Sequence, residues 1–196
     1  MTRDVVVVHA DESCLGNQLK GPRPGGGGAL LERRRNGAVQ RRDLYISSRN
    51  STNNQMALAG AIAAFHQLLA LRDPPPRILY VSDSQYLVKG MRDWIHAWKA
   101  RGWRRKGGAI ENLDLWRQLD DVLPSGVTFH WVRGHAGDPK NEYADHLAVR
   151  AAEDQSDSAG LVKSGFGQWL TNQQEDHRYE DFDPDAHFDH IIRDHM

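Results

Sequence analysis

Four residues stand out for the chemistry they could do together: Asp11, Asp83, Asp145 and, ten positions before the last, His135. Asp11 follows the apolar run VVVVHA and Asp83 follows RILYVS, so both acids fall where a buried strand should leave its sheet. A carboxylate in such a place is partly desolvated and needs a cation, a hydrogen-bond donor or a proton. For Asp11 by itself, capping of the following turn through a backbone N–H is an equal account. Asp145 falls early in a helix, and the ends of strands in an α/β fold are where sites lie. Three carboxylates brought together repel one another unless divalent cations join them. All-oxygen donors without thiolates favour Mg²⁺ or Mn²⁺, and a pair of such ions is a means of cleaving phosphodiesters, one activating water and the other stabilising the leaving oxygen. His135, in RGHAGDPKNEY, is suited to carry a proton to the leaving group or to help product depart. A lone histidine is more commonly a plain surface or core residue, and only its neighbours single this one out.

The elements that must position these groups follow from periodicity and turn chemistry. Val5–Val8 is a strand. Gly21–Gly28 reads as a loop, and Ala29–Glu32 and Leu44–Ser47 as strands joined through a hairpin turn at Asn36-Gly37. Arg33–Arg35 and Arg41–Arg42 read as strand-edge charges that could touch phosphates, solvated edges being the commoner account. Ser51–Asn54 offers helix N-caps before an amphipathic run to about Ala70, stopped by Asp73-Pro74-Pro75-Pro76. Then come strand 77–82, helix 86–101, helix 112–123, strand 127–132, a loop to Pro139 and helix 141–152. Three strands, a helix, a strand, helices, a strand and a helix predict an α/β fold with a mixed sheet flanked by helices.

Composition sets bounds. The chain has 196 residues, 39% of them apolar, and one cysteine, Cys14, which excludes an internal disulfide and a Cys-rich zinc site. It has no apolar run long enough for a membrane span and no secretory leader in MTRDVVVV, so a cytoplasmic, membrane-free protein is expected. The overall charge of −1 is asymmetric: residues 153–196 hold eleven acids against three Lys or Arg, a net of −8, which leaves +7 for residues 1–152. A basic body suits a polyanionic partner, while a solvated acidic tail is the plainer account of the remainder.

The blocks ADESCLGN, TNNQMAL, SDSQYLVKGM, WIHAWKARGW, NLDLW, WVRGHAGDPKNEYAD and HLAVRAA occur in the order and spacing of ribonuclease H type 1, which residues 4–152 resemble. The resemblance implies an RNase H-like fold with a five-stranded mixed sheet, and metal-dependent endonucleolytic cleavage of the RNA strand of RNA–DNA hybrids. It implies catalytic and metal-binding roles for Asp11, Asp83 and Asp145, and the loop-histidine role for His135. Asn17, Asn53, Asn54 and Gln85 match residues that contact the hybrid in the minor groove, where amides both donate and accept. Trp94, Trp98 and Trp103, with Lys99, Arg101, Arg104, Arg105 and Lys106, match a basic protrusion whose cations bind phosphates without sequence choice. The plainer alternative for Trp94 and Trp98, four apart, is packing along their own helix.

One departure matters. Where the family carries a catalytic glutamate on its first helix, this sequence has Ala57, and the glycine that normally follows the first aspartate is Glu12. Glu12 is therefore a candidate replacement ligand. Adjacent strand residues point to opposite faces, so this expectation requires a bend or bulge after Asp11. Glu142, three residues before Asp145, is a second candidate. A weak or inactive hybrid-binding protein would also carry such a change, as would a chain in which Ala57 was introduced to trap substrate. The chain divides into residues 1–152, which carry the resemblance, and the acidic extension 153–196. For the extension three readings stand: disorder, mimicry of nucleic acid over Lys99–Lys106, or docking on the core or a second subunit through Trp169, Phe182 and Phe188. A monomer is expected, with self-association through the extension as the variant. His187, His190 and His195 in the extension read as incidental.

Overall fold

The computed structural model describes residues 4–16 and 21–196. Its centre is a six-stranded mixed sheet in the order β5-β4-β1-β2-β3-β6. Strand β1 (Val6–Cys14) pairs antiparallel with β2 (Gly25–Arg35) and parallel with β4 (Ile78–Ser82). β2 pairs antiparallel with β3 (Ala38–Ser48), and β4 parallel with β5 (Val127–Trp131). Five of these strands are the expected ones. The sixth, β6 (Val162–Lys163), comes from the acidic extension and pairs with Arg42 and Asp43 of β3.

The alternation of β1 divides its valines between two cores. Val6, Val8 and Ala10 face α1 (Asn53–Leu69), with Leu58, Phe65, Tyr80 and Trp116. Helix α1 starts at Thr52, whose side chain and that of Gln55 satisfy each other's backbone N–H in a capping box. The same side of the sheet carries a helical stretch from Gln85 to Ala100, here α2 (Gln85–Lys89), a wider π turn (Gly90–Trp94) and α3 (Ile95–Ala100), followed by α4 (Leu113–Asp121). The π turn coincides with Gly90, where an added Cβ would lie 2.0 Å from the buried Trp116 ring.

Val5 and Val7 face the other way and are covered by the extension. Helix α7 (Pro184–His195) places Phe188 and Ile191 on Val5, Val7, Leu79 and Val81. Beside it, α5 (Pro139–Asp154) and α6 (Phe166–Glu175) enclose Leu30, Tyr143, Leu147, Phe166 and Leu170. Phe182, half-buried, and Trp169 pack on this second cluster. Residues of the extension thus fold against the sheet, where disorder was one of the readings of the sequence. Their acids find the strand arginines: Asp189 pairs with Arg34 at 2.5 Å and Asp185 with Arg41 at 2.5 Å. Arg33 pairs with Asp4, and Arg35 with Asp73. The expectation that these arginines are simply solvated is therefore corrected, and no ion pair between the extension and Lys99–Lys106 occurs among the described residues.

The glycine run is the largest correction. Gly25–Gly28 is a buried part of β2 and not a loop. A Cβ on Gly26 would lie 2.0 Å from the Ala148 carbonyl oxygen, and one on Gly28 would lie 2.3 Å from that of Ala144. The glycines let α5 lie directly on the strand, which brings the first turns of α5 to the end of β1. Asn36 and Gly37, with φ of 51° and 82°, make the expected hairpin turn.

Candidate active site and metal centre

The parallel pairing of β1 with β4 ends at Ala10 opposite Ser82. Asp11 and Glu12 run on beyond it, still in regular register with Gly28 and Gly27 of β2. A notch is left beside them on the β4 side, and Asp83 occupies it. Oxygen atoms of Asp11, Glu12 and Asp83 all lie within 4.8 Å of one another. No bulge interrupts the β1–β2 register, so the expected bend is corrected: two neighbours that start on opposite faces reach one point because β1 overhangs the end of β4 there. Asp11 turns toward the next peptide, its Oδ1 accepting from the Glu12 N–H at 2.7 Å. Glu12 lines a narrow cleft with Ala57, Gly60, Ala63 and Tyr80, so the carboxylate from the strand and the methyl group on α1 share one space.

The electrostatics follow from crowding and burial. Asp11, 8% exposed, is pushed up to about 9 by burial, then by the charges of Asp83 and Glu12. Glu12 is pushed up to about 8 by burial and by Asp83, against a hydrogen bond with Ser84. Burial also raises Asp83 and Asp145 above the ordinary aspartate range. Asp145 stands outside the set of three, but its charge is felt at both Asp11 and Asp83. At neutral pH Asp11 and Glu12 hold protons unless positive charge replaces them. Hard oxygen donors at this spacing fit a divalent cation.

Neighbours fix these groups. Asn141, 3% exposed, donates from Nδ2 to Asp11 Oδ2 at 3.2 Å. The Trp131 indole donates to the Asp83 carbonyl oxygen at 3.0 Å. The loop after β5 leans on Asp83, since a Cβ on Gly134 would lie 2.1 Å from its Oδ2. The next residue, His135, is exposed with φ 51°, and its charge acts on Asp83 and Asp145. Glu142, the second candidate replacement, points elsewhere: its Oε2 accepts from Arg178 at 2.6 Å.

The expected nucleic-acid contacts divide. Asn53 and Gln85 are exposed at the starts of α1 and α2, Asn54 is half-buried beside Asn53, and Asn17 lies outside the described residues. Arg101, Arg104, Arg105 and Lys106 are exposed, whereas Lys99 pairs with Asp120 at 2.6 Å. Trp98 is 9% exposed and packs edge-on against Trp116 and beside Trp94, so it is corrected to a core residue supporting the segment. Trp94 and Trp103 are half-buried, Trp103 under the Arg117 guanidinium. Sequence reasoning missed Asn141, although its spacing of four from Asp145 puts both on one helix face. It also missed the buried set Glu32, Lys140 and His9, which carries no local signal.

Residues 3–153 match the family model described as RNase H. Curated proteins called ribonuclease H are similar: one from Polaromonas naphthalenivorans is 44% identical, covering 76% of this chain and 87% of the relative. One from Bradyrhizobium diazoefficiens is 44% identical over 74% of this chain and 87% of its own length. Among solved structures, LC9-RNase H1, described as a type 1 RNase H with the type 2 active-site motif, is 47% identical with a TM-score of 0.79, covering 86% of this chain and 82% of that one. The RNase H domain of PFV, 20% identical with a TM-score of 0.65 over 78% of this chain and 96% of that one, shares the fold.

Proposed function

Since the chain belongs to the RNase H family and is an endoribonuclease by that membership, we propose that it hydrolyses the RNA strand of RNA–DNA hybrids through an altered carboxylate set. The set is Asp11, Glu12 and Asp83, with Asp145 beside them, and Glu12 takes the place of the acid that Ala57 lacks. The observation carrying this reading is the approach of the Asp11, Glu12 and Asp83 oxygens to within 4.8 Å while Glu12 and Ala57 line one cleft. A change of motif within a type 1 enzyme has a counterpart in LC9-RNase H1, described in those terms.

Asp11, Glu12 and Asp83, with Asp145 beside them, would hold Mg²⁺ or Mn²⁺, two ions on the reading above. The chemistry such ions supply when bound is polarisation of the scissile phosphate and a lower pKa for the attacking water. The chain's own groups do the rest. Asn141 keeps Asp11 oriented. His135, on its exposed loop, delivers a proton to the leaving oxygen of the RNA and then withdraws with the product. Asn17, Asn53, Asn54 and Gln85 read ribose hydroxyls and base edges. Arg101, Arg104, Arg105 and Lys106 bind backbone phosphates, with Trp94 and Trp103 as apolar walls. Among the described residues no helix is long and apolar enough to cross a membrane.

The test is cleavage of an end-labelled hybrid with Mn²⁺ or Mg²⁺, beside single-stranded RNA and duplex DNA. Cutting confined to the RNA of the hybrid, lost in Asp83→Asn, is expected. Binding without cutting under either ion would leave a hybrid-gripping protein instead.

A further inference from the structure

Beyond the site itself, we propose that the acidic extension is a brace that positions the first turn of α5, and through Asn141 and Asp145 the carboxylate centre; the link to metal binding rests on the function proposed above. The two neighbours of Asn141, Lys140 and Glu142, are held by groups the family match does not reach, since that match ends at residue 153, and Tyr143 shares an acid with a third such group. Lys140, fully buried, donates from Nζ to the Pro184 carbonyl oxygen at the start of α7, at 2.9 Å. Its other contact is Glu32 Oε2 at 2.7 Å, on the strand beside β1. Glu142 accepts from Arg178. The Tyr143 hydroxyl donates to Asp43 Oδ2 at 2.6 Å, and the same oxygen accepts the Gly165 N–H of the extension at 2.9 Å.

Glu32 completes the brace from the sheet side. It is fully buried and also accepts from His9 Nε2 at 3.1 Å and Arg41 Nε at 2.8 Å, while Arg41 reaches Asp185 of α7. A buried ammonium that donates to both a sheet carboxylate and a tail carbonyl ties three elements at one point. Asn141, the next residue, meets Asp11 from the helix turn so placed. Lys140 is a positioning residue in this scheme: it touches no reacting atom.

Two variants test the brace, Lys140→Met, which removes the buried donor without opening a large cavity, and Arg178→Gln, which removes an exposed pair. The readouts are amide hydrogen exchange over residues 139–146, Mn²⁺ binding without substrate from the paramagnetic resonance of free Mn²⁺, and hybrid cleavage. Lys140→Met is expected to exchange about tenfold faster over 139–146 and to need several-fold more Mn²⁺ for half-saturation, with Arg178→Gln moving the same way by less. Ile191→Ala, which thins the cover over Val5, Val7, Leu79 and Val81, should lower the melting temperature and leave both readouts at parental values. Parental exchange and Mn²⁺ half-saturation in both Lys140→Met and Arg178→Gln would overturn the proposal and leave the extension as a cover only. Should Lys140→Met fail to fold, Arg178→Gln decides by the same readouts. A parent that neither binds Mn²⁺ nor cuts hybrid rejects the nuclease reading, while the exchange data still judge the brace.

Discussion

Replacing Glu12 by Gln should make the metal-free protein more stable and at the same time disable it. The folded chain holds a proton on Glu12 up to a pKa of about 8, against an ordinary 4.5. A raised carboxylate pKa means that the folded state keeps a proton the unfolded state has released, so stability falls as pH rises from 4.5 to 8. At pH 7 the full linkage is about 3 kcal/mol. Sharing of protons with Asp11 and partial exposure reduce the expected gain for Gln to about 2 kcal/mol. For a domain of this size that is roughly 4 to 8 °C in melting temperature. The assay is thermal unfolding in a chelator at pH 4 and pH 7, repeated with Mn²⁺, beside hybrid cleavage. The variant should melt higher than the parent at pH 7 in chelator, lose that advantage at pH 4, gain less from Mn²⁺, and cleave at least about a hundredfold more slowly. A variant that melts no higher than the parent in chelator and cuts at the parental rate would falsify the placement of Glu12 in the centre.

Further outcomes follow from the same geometry. The double exchange Glu12→Gly with Ala57→Glu should recover part of the cleavage that Glu12→Gly loses, because both positions line one cleft; no recovery in the labelled-hybrid assay would mean that the cleft is not shared. Gly28→Ala drives a methyl group into the Ala144 carbonyl at 2.3 Å, so denaturant unfolding should report a loss of about 3 kcal/mol or more and cleavage should fall with the displaced α5. Truncation after Asp154 removes Phe166, Leu170, Phe188 and Ile191 from their clusters. At roughly 1.5 to 3 kcal/mol each that approaches the whole stability of a domain; an insoluble or molten product is expected, in place of the tighter hybrid binding that a competing tail would give.

Much of the sheet was legible because its signals are local. Four valines, an Asn-Gly turn, a Thr-capped amphipathic run and a proline stop each fix an element by short-range chemistry. The glycine run misled because glycine in a strand looks like a loop until the helix on top of it is known. The meeting of Asp11 and Asp83 was readable from strand ends, and Glu12 as their companion from one acid lost and one gained. How Glu12 reaches the others was not, because it depends on where β4 stops relative to β1, a long-range register that no short stretch encodes. The same holds for Glu32, Lys140 and His9, whose partners lie 23 and 108 residues apart. Trp98 was ambiguous for the opposite reason: a basic aromatic segment has one composition whether a given indole faces phosphate or the interior.

Carrying two of the acids on adjoining residues has a consequence for how the enzyme can vary. Their spacing is then set by a single peptide unit and cannot drift when α1 slides or is rebuilt. With Glu12 as the ligand proposed above, the helix is relieved of donating one and is free to keep small residues such as Ala57, Gly60 and Ala63 along that side. Sequence change in α1 that would ruin a helix-borne ligand should here be felt mainly as altered packing, leaving the proposed ion cradle intact.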